Sequence, residues 1–331
     1  MISWTHNSIK KYSKSFTEIF TINHIFDAWR NFRKGKGKKI DVIDFGQDAY
    51  SKIYRIYEDI INDKYIHGGY YYFIVHDPKR REIHKASVRD RIIHQLIYDQ
   101  FYQYFSGYFI QDSYSSQKGK GTHAALKKYR KYYFQCSKNN RKTAWILKCD
   151  IRKCFHSINQ DILLQILSQY ISCQKTFKMF ENIIKSRPQG IPLGNLTSQL
   201  FINIYLNELD RYIKEDLQEK YYIRYADDFL IMANDKNHLE NILQKIRSFL
   251  TEKLKLDLSD HKISIKTTTS GIDFLGWNIF LNHKTLRRKT KIRMLDRVNK
   301  RNLPSYLGLL KHGNAYKLAN KIERYVYSRY L

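Results

Sequence analysis

The chain is short of the residues that brace small secreted domains and of those that interrupt secondary structure. Of its 331 residues only four are cysteine (Cys136, Cys149, Cys154 and Cys173), and none lies in a CxxC pair. So few cysteines in a chain of this length give little sign of a disulfide framework, and no Cys/His set has zinc-ligand spacing. Free thiols in a reducing cytoplasm are the plain reading. Four prolines and 14 glycines leave long uninterrupted stretches, and no internal repeat is visible. No window approaches the ~20 apolar residues of a membrane span. Residues 1–14 are polar and lack the apolar core of a secretory signal. Acids are scarce too: 31 Asp+Glu stand against 59 Lys+Arg, a formal net charge of +28. A folded chain with that excess repels itself unless a polyanion shares its surface, and nucleic acid is the usual partner. Codon bias is the bland alternative. It accounts for Lys in place of Arg, but not for missing acids.

What is present is enough to fold. Hydrophobic residues make up 43% and aromatics 15%, which suits one large domain or a few lobes on a shared core. Residues 33–39, Arg-Lys-Gly-Lys-Gly-Lys-Lys, read as a basic flexible stretch between an N-terminal basic arm (1–45) and the body. Helical spacing is predicted over 47–63 and 88–105, with a strand over 70–75 between them that Asp77-Pro78 ends. A strand over 145–147 runs into Asp150, and a helix over 160–171 follows with Asn159 or Ser157 as its cap. Further helices are expected over 197–214 and 239–254, and a short strand over 263–266. From about Leu281 the chain turns basic and helical to the end.

Two places put carboxylates at the end of an apolar strand: Asp150, and Asp227-Asp228 between the apolar flanks 221–225 and 229–232. Nucleotidyl transfer needs such an arrangement. Two divalent ions about 3.5–4 Å apart bridge the attacking oxygen and the triphosphate, and magnesium is satisfied by two or three carboxylates plus water. Side chains alternate along a strand, so Asp227 is expected to be the firm ligand and Asp228 a partial one. An Asp-Asp pair also makes an ordinary hairpin turn. At this level both readings stand.

Tyr225-Ala226-Asp227-Asp228 resembles the catalytic box of reverse transcriptases, and its neighbours follow in that family's order. Residues 150–158, Asp-Ile-Arg-Lys-Cys-Phe-His-Ser-Ile, resemble the first metal-binding motif. The resemblance implies an α/β palm in a right-hand polymerase, with fingers (46–142), palm (143–282, with a helical insertion near 172–196) and a short helical thumb (283–331). It implies Asp150, Asp227 and Asp228 as catalytic residues, and these with Ile151 as the site of two Mg2+ ions, with Mn2+ as a substitute. Phe155 corresponds to the aromatic that excludes a ribose 2′-OH, although a plain core aromatic is its simpler reading. Lys79 and Arg81 resemble the fingers residues that hold the triphosphate, a task suited to ammonium and guanidinium groups. Lys262 matches a palm lysine near the pyrophosphate. Leu193 and Gly194 match residues against the incoming nucleotide, and Phe274, Leu275, Gly276 and Trp277 match the primer grip. Lys118-Gly119-Lys120-Gly121-Thr122 lacks the spacing of a phosphate loop and reads as a template-contacting loop.

Residues 190–199, Gly-Ile-Pro-Leu-Gly-Asn-Leu-Thr-Ser-Gln, depart from the G-x-P-Q-G-x-x-x-S-P form usual in bacterial reverse transcriptases such as those of group II introns. Leu193 stands for Gln and Gln199 for Pro. That form resembles the enzymes of diversity-generating retroelements, which copy a template-repeat RNA with errors at adenines. The resemblance implies template RNA, a DNA or RNA primer, dNTPs and a small basic pentameric accessory protein as partners, no membrane, and a bacterial or phage-encoded cytoplasmic protein. A retron-like or antiviral stand-alone enzyme is the alternative, and a catalytically idle RNA-binding palm a third.

Overall fold

The computed structural model describes residues 9–76 and 80–328. The chain opens with α1 (Phe16–Ile19), α2 (Ile22–Arg33), α3 (Ile40–Gln47) and α4 (Ala49–Ile61). An antiparallel pair follows, β1 (Tyr70–Val75) and β2 (Arg81–Ala86), and then the long α5 (Val88–Ser106) and α6 (Thr122–Cys136). The central part holds β3 (Trp145–Asp150), the one-turn α7 (Cys154–Ser157), α8 (Gln160–Tyr170), α9 (Gln174–Ile184) and α10 (Leu196–Arg211). The hairpin β4 (Tyr222–Tyr225) and β5 (Asp228–Ala233), α11 (Lys236–Lys253) and β6 (Ser264–Thr267) complete it. The last part is a small sheet, β7 (Ile272–Phe274), β8 (Trp277–Ile279) and β9 (Lys284–Leu286), followed by α12 (Arg288–Arg297), α13 (Leu303–Leu310) and α14 (Tyr316–Ser328).

The organising element is an antiparallel four-stranded sheet in the order β4-β5-β3-β6. Its central strand β3 carries Leu147 and Cys149 on one face and Ile146, beside Lys148 and Asp150, on the other, and both faces are covered. Leu147 and Cys149 join one core, which α8, α10 and α11 share with α5 and the N-terminal helices. Ile146 points the other way, with Leu230, Met232 and Ile223, into a second core made with α6, the small sheet and the last three helices. Helix α10 is buried on nearly every side from Leu200 to Asp210, as a helix clamped between others must be. Local signals start the helices where the sequence suggests: Asn159 accepts from the Ile162 amide at 3.0 Å and caps α8.

Several expectations are corrected. Residues 9–45 are not a separate arm, because Phe16, Ile19, Ile25, Trp29 and Phe32 lie in the same core as α5, and the amphipathic α2 packs on it. Helix α6 was expected with the fingers, yet it packs on β4 and β5 and shares the second core. The region after Leu281 is not helical throughout, since β9 pairs with β8 first. In the Lys118–Thr122 loop Lys120 Nζ donates to the carbonyls of Gln111 and Ser113, each at 2.9 Å, while Lys118 and Gly119 stay exposed. The expectation that Asp77-Pro78 ends a strand lies outside the described residues.

Candidate active site

Antiparallel pairing sets Asp150, the last residue of β3, directly opposite Asp228, the first of β5. Directly opposed residues share a face, so these two carboxyls meet at the strand ends. Asp227 lies in the two-residue turn before β5, which Ala226 closes with φ 55°. The Ile151 amide donates to the Asp227 carbonyl at 3.0 Å and pins that turn against β3. Alternation therefore separates the adjacent aspartates as expected, but the one that shares Asp150's face in this structure is Asp228. Asp227, expected as the firm ligand, lies in the adjoining turn, and Asp228, expected as the partial one, lies opposite Asp150.

The surroundings hold the first carboxylate in place. Asp150 is 6% exposed. Ser259 donates its hydroxyl to Asp150 Oδ1 at 3.1 Å and its amide to the Asp150 carbonyl at 2.8 Å. Lys262 Nζ donates to the same Oδ1. Burial pushes the Asp228 carboxyl up to about 6; Lys148 opposes this, while the charges of Asp150 and Asp227 and a hydrogen bond with Asp150 add to it. Carboxylates this close need a proton or a cation between them. Among the described residues no three His, Cys, Asp or Glu side chains form a closed ligand set. An ion here would complete its shell with water and substrate oxygens, which is how magnesium is bound. The all-oxygen donors on strand ends fit that ion.

A second group of residues converges beside this pair. Phe155 sits in α7, half-buried, and its carbonyl accepts from the Ile191 amide at 2.8 Å. Gly190 makes that approach possible. At φ +64° any Cβ would lie 2.5 Å from the carbonyl oxygens of Phe155 and His156, so only glycine fits. Gln160 Nε2 donates to the Gly190 carbonyl at 2.9 Å and braces the turn from behind. The Leu193 carbonyl then accepts from the His84 amide of β2 at 3.3 Å, and Gly194 lies against Ile83. Leu193 itself is half-buried, and Arg81 stands exposed at the start of β2. Lys79 lies outside the described residues.

Phe274, Leu275, Gly276 and Trp277 form the β7–β8 turn, with φ 49° at Leu275 and 88° at Gly276. Phe274 and Trp277 are buried in the second core. Lys148 Nζ donates to the Asp273 carbonyl at 2.6 Å and ties that turn to the strand carrying Asp150.

Sequence reading missed the support beneath the hairpin. Arg224 and Asp210 are both fully buried, with Arg224 Nε and Nη2 on the two carboxylate oxygens at 2.7 and 2.6 Å. Tyr222 donates to Asp210 at 2.6 Å, and Arg224 Nη1 donates to the Ala226 carbonyl in the turn at 3.1 Å. One signal was available: an arginine inside a short strand of apolar and aromatic residues.

Comparison with known proteins bears on this geometry directly. The sequence profile described as reverse transcriptase (RNA-dependent DNA polymerase) matches residues 76–279. The chain is 22% identical over 278 residues to a putative COX1/OXI3 intron 2 protein of Saccharomyces cerevisiae, covering 64% of this chain and 31% of that protein. It is 21% identical over 405 residues to the group II intron-encoded protein LtrA of Lactococcus lactis subsp. cremoris, covering 98% of this chain and 65% of that one. The chain thus spans between about a third and two thirds of these relatives. Apo telomerase from Candida tropicalis, truncated from its C-terminal domain, shares the fold at a TM-score of 0.50 and 14% identity, covering 66% of this chain and 55% of that one. No helix among the described residues is long and apolar enough to cross a membrane. Because the profile matches more than half of the chain, the chain belongs to the reverse transcriptase family.

Proposed function

We propose that the chain copies RNA into DNA by two-metal nucleotidyl transfer, as the polymerase of a diversity-generating retroelement. The observation that carries the polymerase reading is the Asp150–Asp228 pair at facing strand ends, with the Asp227 turn pinned beside it. Asp150, Asp227, Asp228 and the Ile151 backbone would hold magnesium, or manganese in its place, which activates the primer 3′-hydroxyl and neutralises the triphosphate. The chain's own groups do the rest. Lys79, Arg81 and Lys262 take the phosphates, and Leu193 and Gly194 lie against the nucleotide. Phe155 fills the space of a 2′-hydroxyl, and the 274–277 turn supports the primer end. Residues 46–142 serve as fingers apart from α6, which packs with the 143–282 palm; 283–331 serve as thumb.

The diversity-generating reading rests on the 190–199 segment. Where related enzymes place a Gln amide near the nucleotide, Leu193 offers no donor or acceptor. One hydrogen bond is worth about 0.5–1.5 kcal/mol, and about 1.4 kcal/mol is tenfold in selectivity. Losing it turns rare misincorporation into common misincorporation if the bond favours correct pairs. In this reading the partners are a template-repeat RNA, a primer and a small basic pentameric accessory protein, in the cytoplasm of a bacterium. The test is to sequence cDNA made on one RNA by wild type and Leu193→Gln. Errors at template adenines should be frequent in wild type and fewer in the variant. Faithful copying by wild type would place the chain with other stand-alone enzymes, retron-like or antiviral.

A further inference from the structure

Away from the carboxylate pair, the structure holds a cleft of about 560 Å³ between α6, the β8–β9 turn and the loop joining α13 to α14. Its rim carries Lys127, Arg130 and Lys311, all exposed, with Lys284 half-buried. Phe134 and Phe280 line it as half-buried rings, Phe134 with Arg130 over its ring and Phe280 stacked on His283. None of the residues lining it is acidic.

That bias is written in the sequence. No Asp or Glu occurs between Asp112 and Asp150, between Asp273 and Asp296, or between Asp296 and Glu323. The fold brings these three acid-free stretches together, and every lining residue except Thr268 comes from them. The walls are held at both sides: Tyr129 and Thr268 hydroxyls meet at 3.2 Å, and the Asn314 amide donates to the Lys284 carbonyl at 2.9 Å. The cleft is also remote from the carboxylates. Thr268 follows Thr267, which pairs with Trp145 at the start of β3, five residues from Asp150, or about 17 Å along the strand.

Rings flanked by positive charge, with no acidic residue in the lining, are the chemistry that binds nucleotides. Bases stack on aromatic faces while ammonium and guanidinium groups take the phosphates. We propose that this cleft is a second nucleic-acid site, which seats a nucleotide of a single strand while the catalytic groove holds primer and template. Phe134 and Phe280 receive the base, and Lys127, Arg130 and Lys311 receive the phosphates on either side. Such a site holds an uncopied part of a strand on the enzyme. The inference rests on the polymerase reading above.

The test saturates the protein with a short annealed primer–template and then titrates fluorescent single strands about 8 nucleotides long, a length in the range such sites accommodate. RNA, DNA and a free nucleoside triphosphate form the three arms. Either strand should bind to the loaded enzyme, and the free nucleotide far more weakly. RNA binding tighter than DNA identifies a template source, and equal binding identifies backbone and base alone. The triple variant Lys127→Ala, Arg130→Ala, Lys311→Ala should lower the slope of log affinity against log salt by about 2, at about 0.7 per phosphate contact. Phe280→Leu should weaken binding about fivefold or more by removing a stacking face. Both should extend the annealed primer at the wild-type rate. An unchanged slope and affinity in the variants overturns the proposal, as does displacement of the strand by the duplex. Failure of the wild type to extend the primer would instead overturn the polymerase reading.

Discussion

Replacing Arg224 by methionine separates the stability of the palm from the placement of its catalytic turn. Arg224 and Asp210 are both at 0% exposure and joined by two hydrogen bonds. Arg224→Met leaves the Asp210 carboxylate in the core with only the Tyr222 hydroxyl donating to it. Breaking a buried pair on one side costs about 3–5 kcal/mol, a large share of the about 5–15 kcal/mol that holds a typical domain. Adding Asp210→Asn removes the stranded charge and keeps an acceptor for Tyr222. Urea denaturation should then show the double variant within about 1–2 kcal/mol of wild type. Activity should not follow. The Ala226 carbonyl has lost its donor at 3.1 Å, and the turn bearing Asp227 loses its fixed position. Loss of such outer support costs about 10- to 100-fold, so single-turnover dNTP incorporation should fall by that factor with primer–template affinity unchanged. A double variant as unstable as the single one would refute the desolvation account, and one with wild-type incorporation would refute the positioning account.

Asp150→Ala and Asp227→Ala should each abolish metal-dependent dNTP incorporation while leaving RNA binding intact, since each removes an oxygen donor from the reacting centre; wild-type rates in either would sink the assignment. Phe155→Ala should raise the use of rNTP relative to dNTP, and an unchanged ratio of kcat/KM for the two sugars would reduce Phe155 to core packing. Asp228 adds a pH dependence. Its folded pKa of about 6 lies above the ordinary 3.8, so the folded state binds its proton more tightly, and without divalent metal stability should fall as pH rises from about 4 to 6 and level off above. Denaturation of the chelated protein across that window should show the slope in wild type and a flatter curve in Asp228→Asn; identical curves would refute it.

The site was legible because its parts are local. Alternation in β3 and β5, the turn between two apolar flanks and the Asn159 cap each show in a few consecutive residues. The local rule separates Asp227 from Asp228, but only the partner strand shows that Asp228 is the one opposite Asp150. What stayed hidden depends on contacts between distant segments. Lys120 satisfies carbonyls nine and seven residues before it, yet reads in sequence as a basic loop. The amphipathic α2 announces that it needs a partner, but not that α5 supplies it. Arg224 looked like another cation in a basic chain, because its acceptor on α10 is brought near only by the fold.

The division into two cores on one sheet has a consequence for synthesis. Helix α6 exposes Ala125, Leu126, Tyr129 and Tyr133 to a core whose other wall includes Ile272, Phe274, Trp277, Ile322 and Val326. A ribosome adding about 5–20 residues per second needs roughly 7 to 27 seconds to make the chain between residues 136 and 272. For that interval a greasy, strongly basic helix waits only partly covered, by β3 and then by β4 and β5, in a cell full of RNA. The nascent protein is most exposed to aggregation and to stray nucleic acid in that window, and chaperone dependence should track the delay between residues 136 and 272 rather than total length.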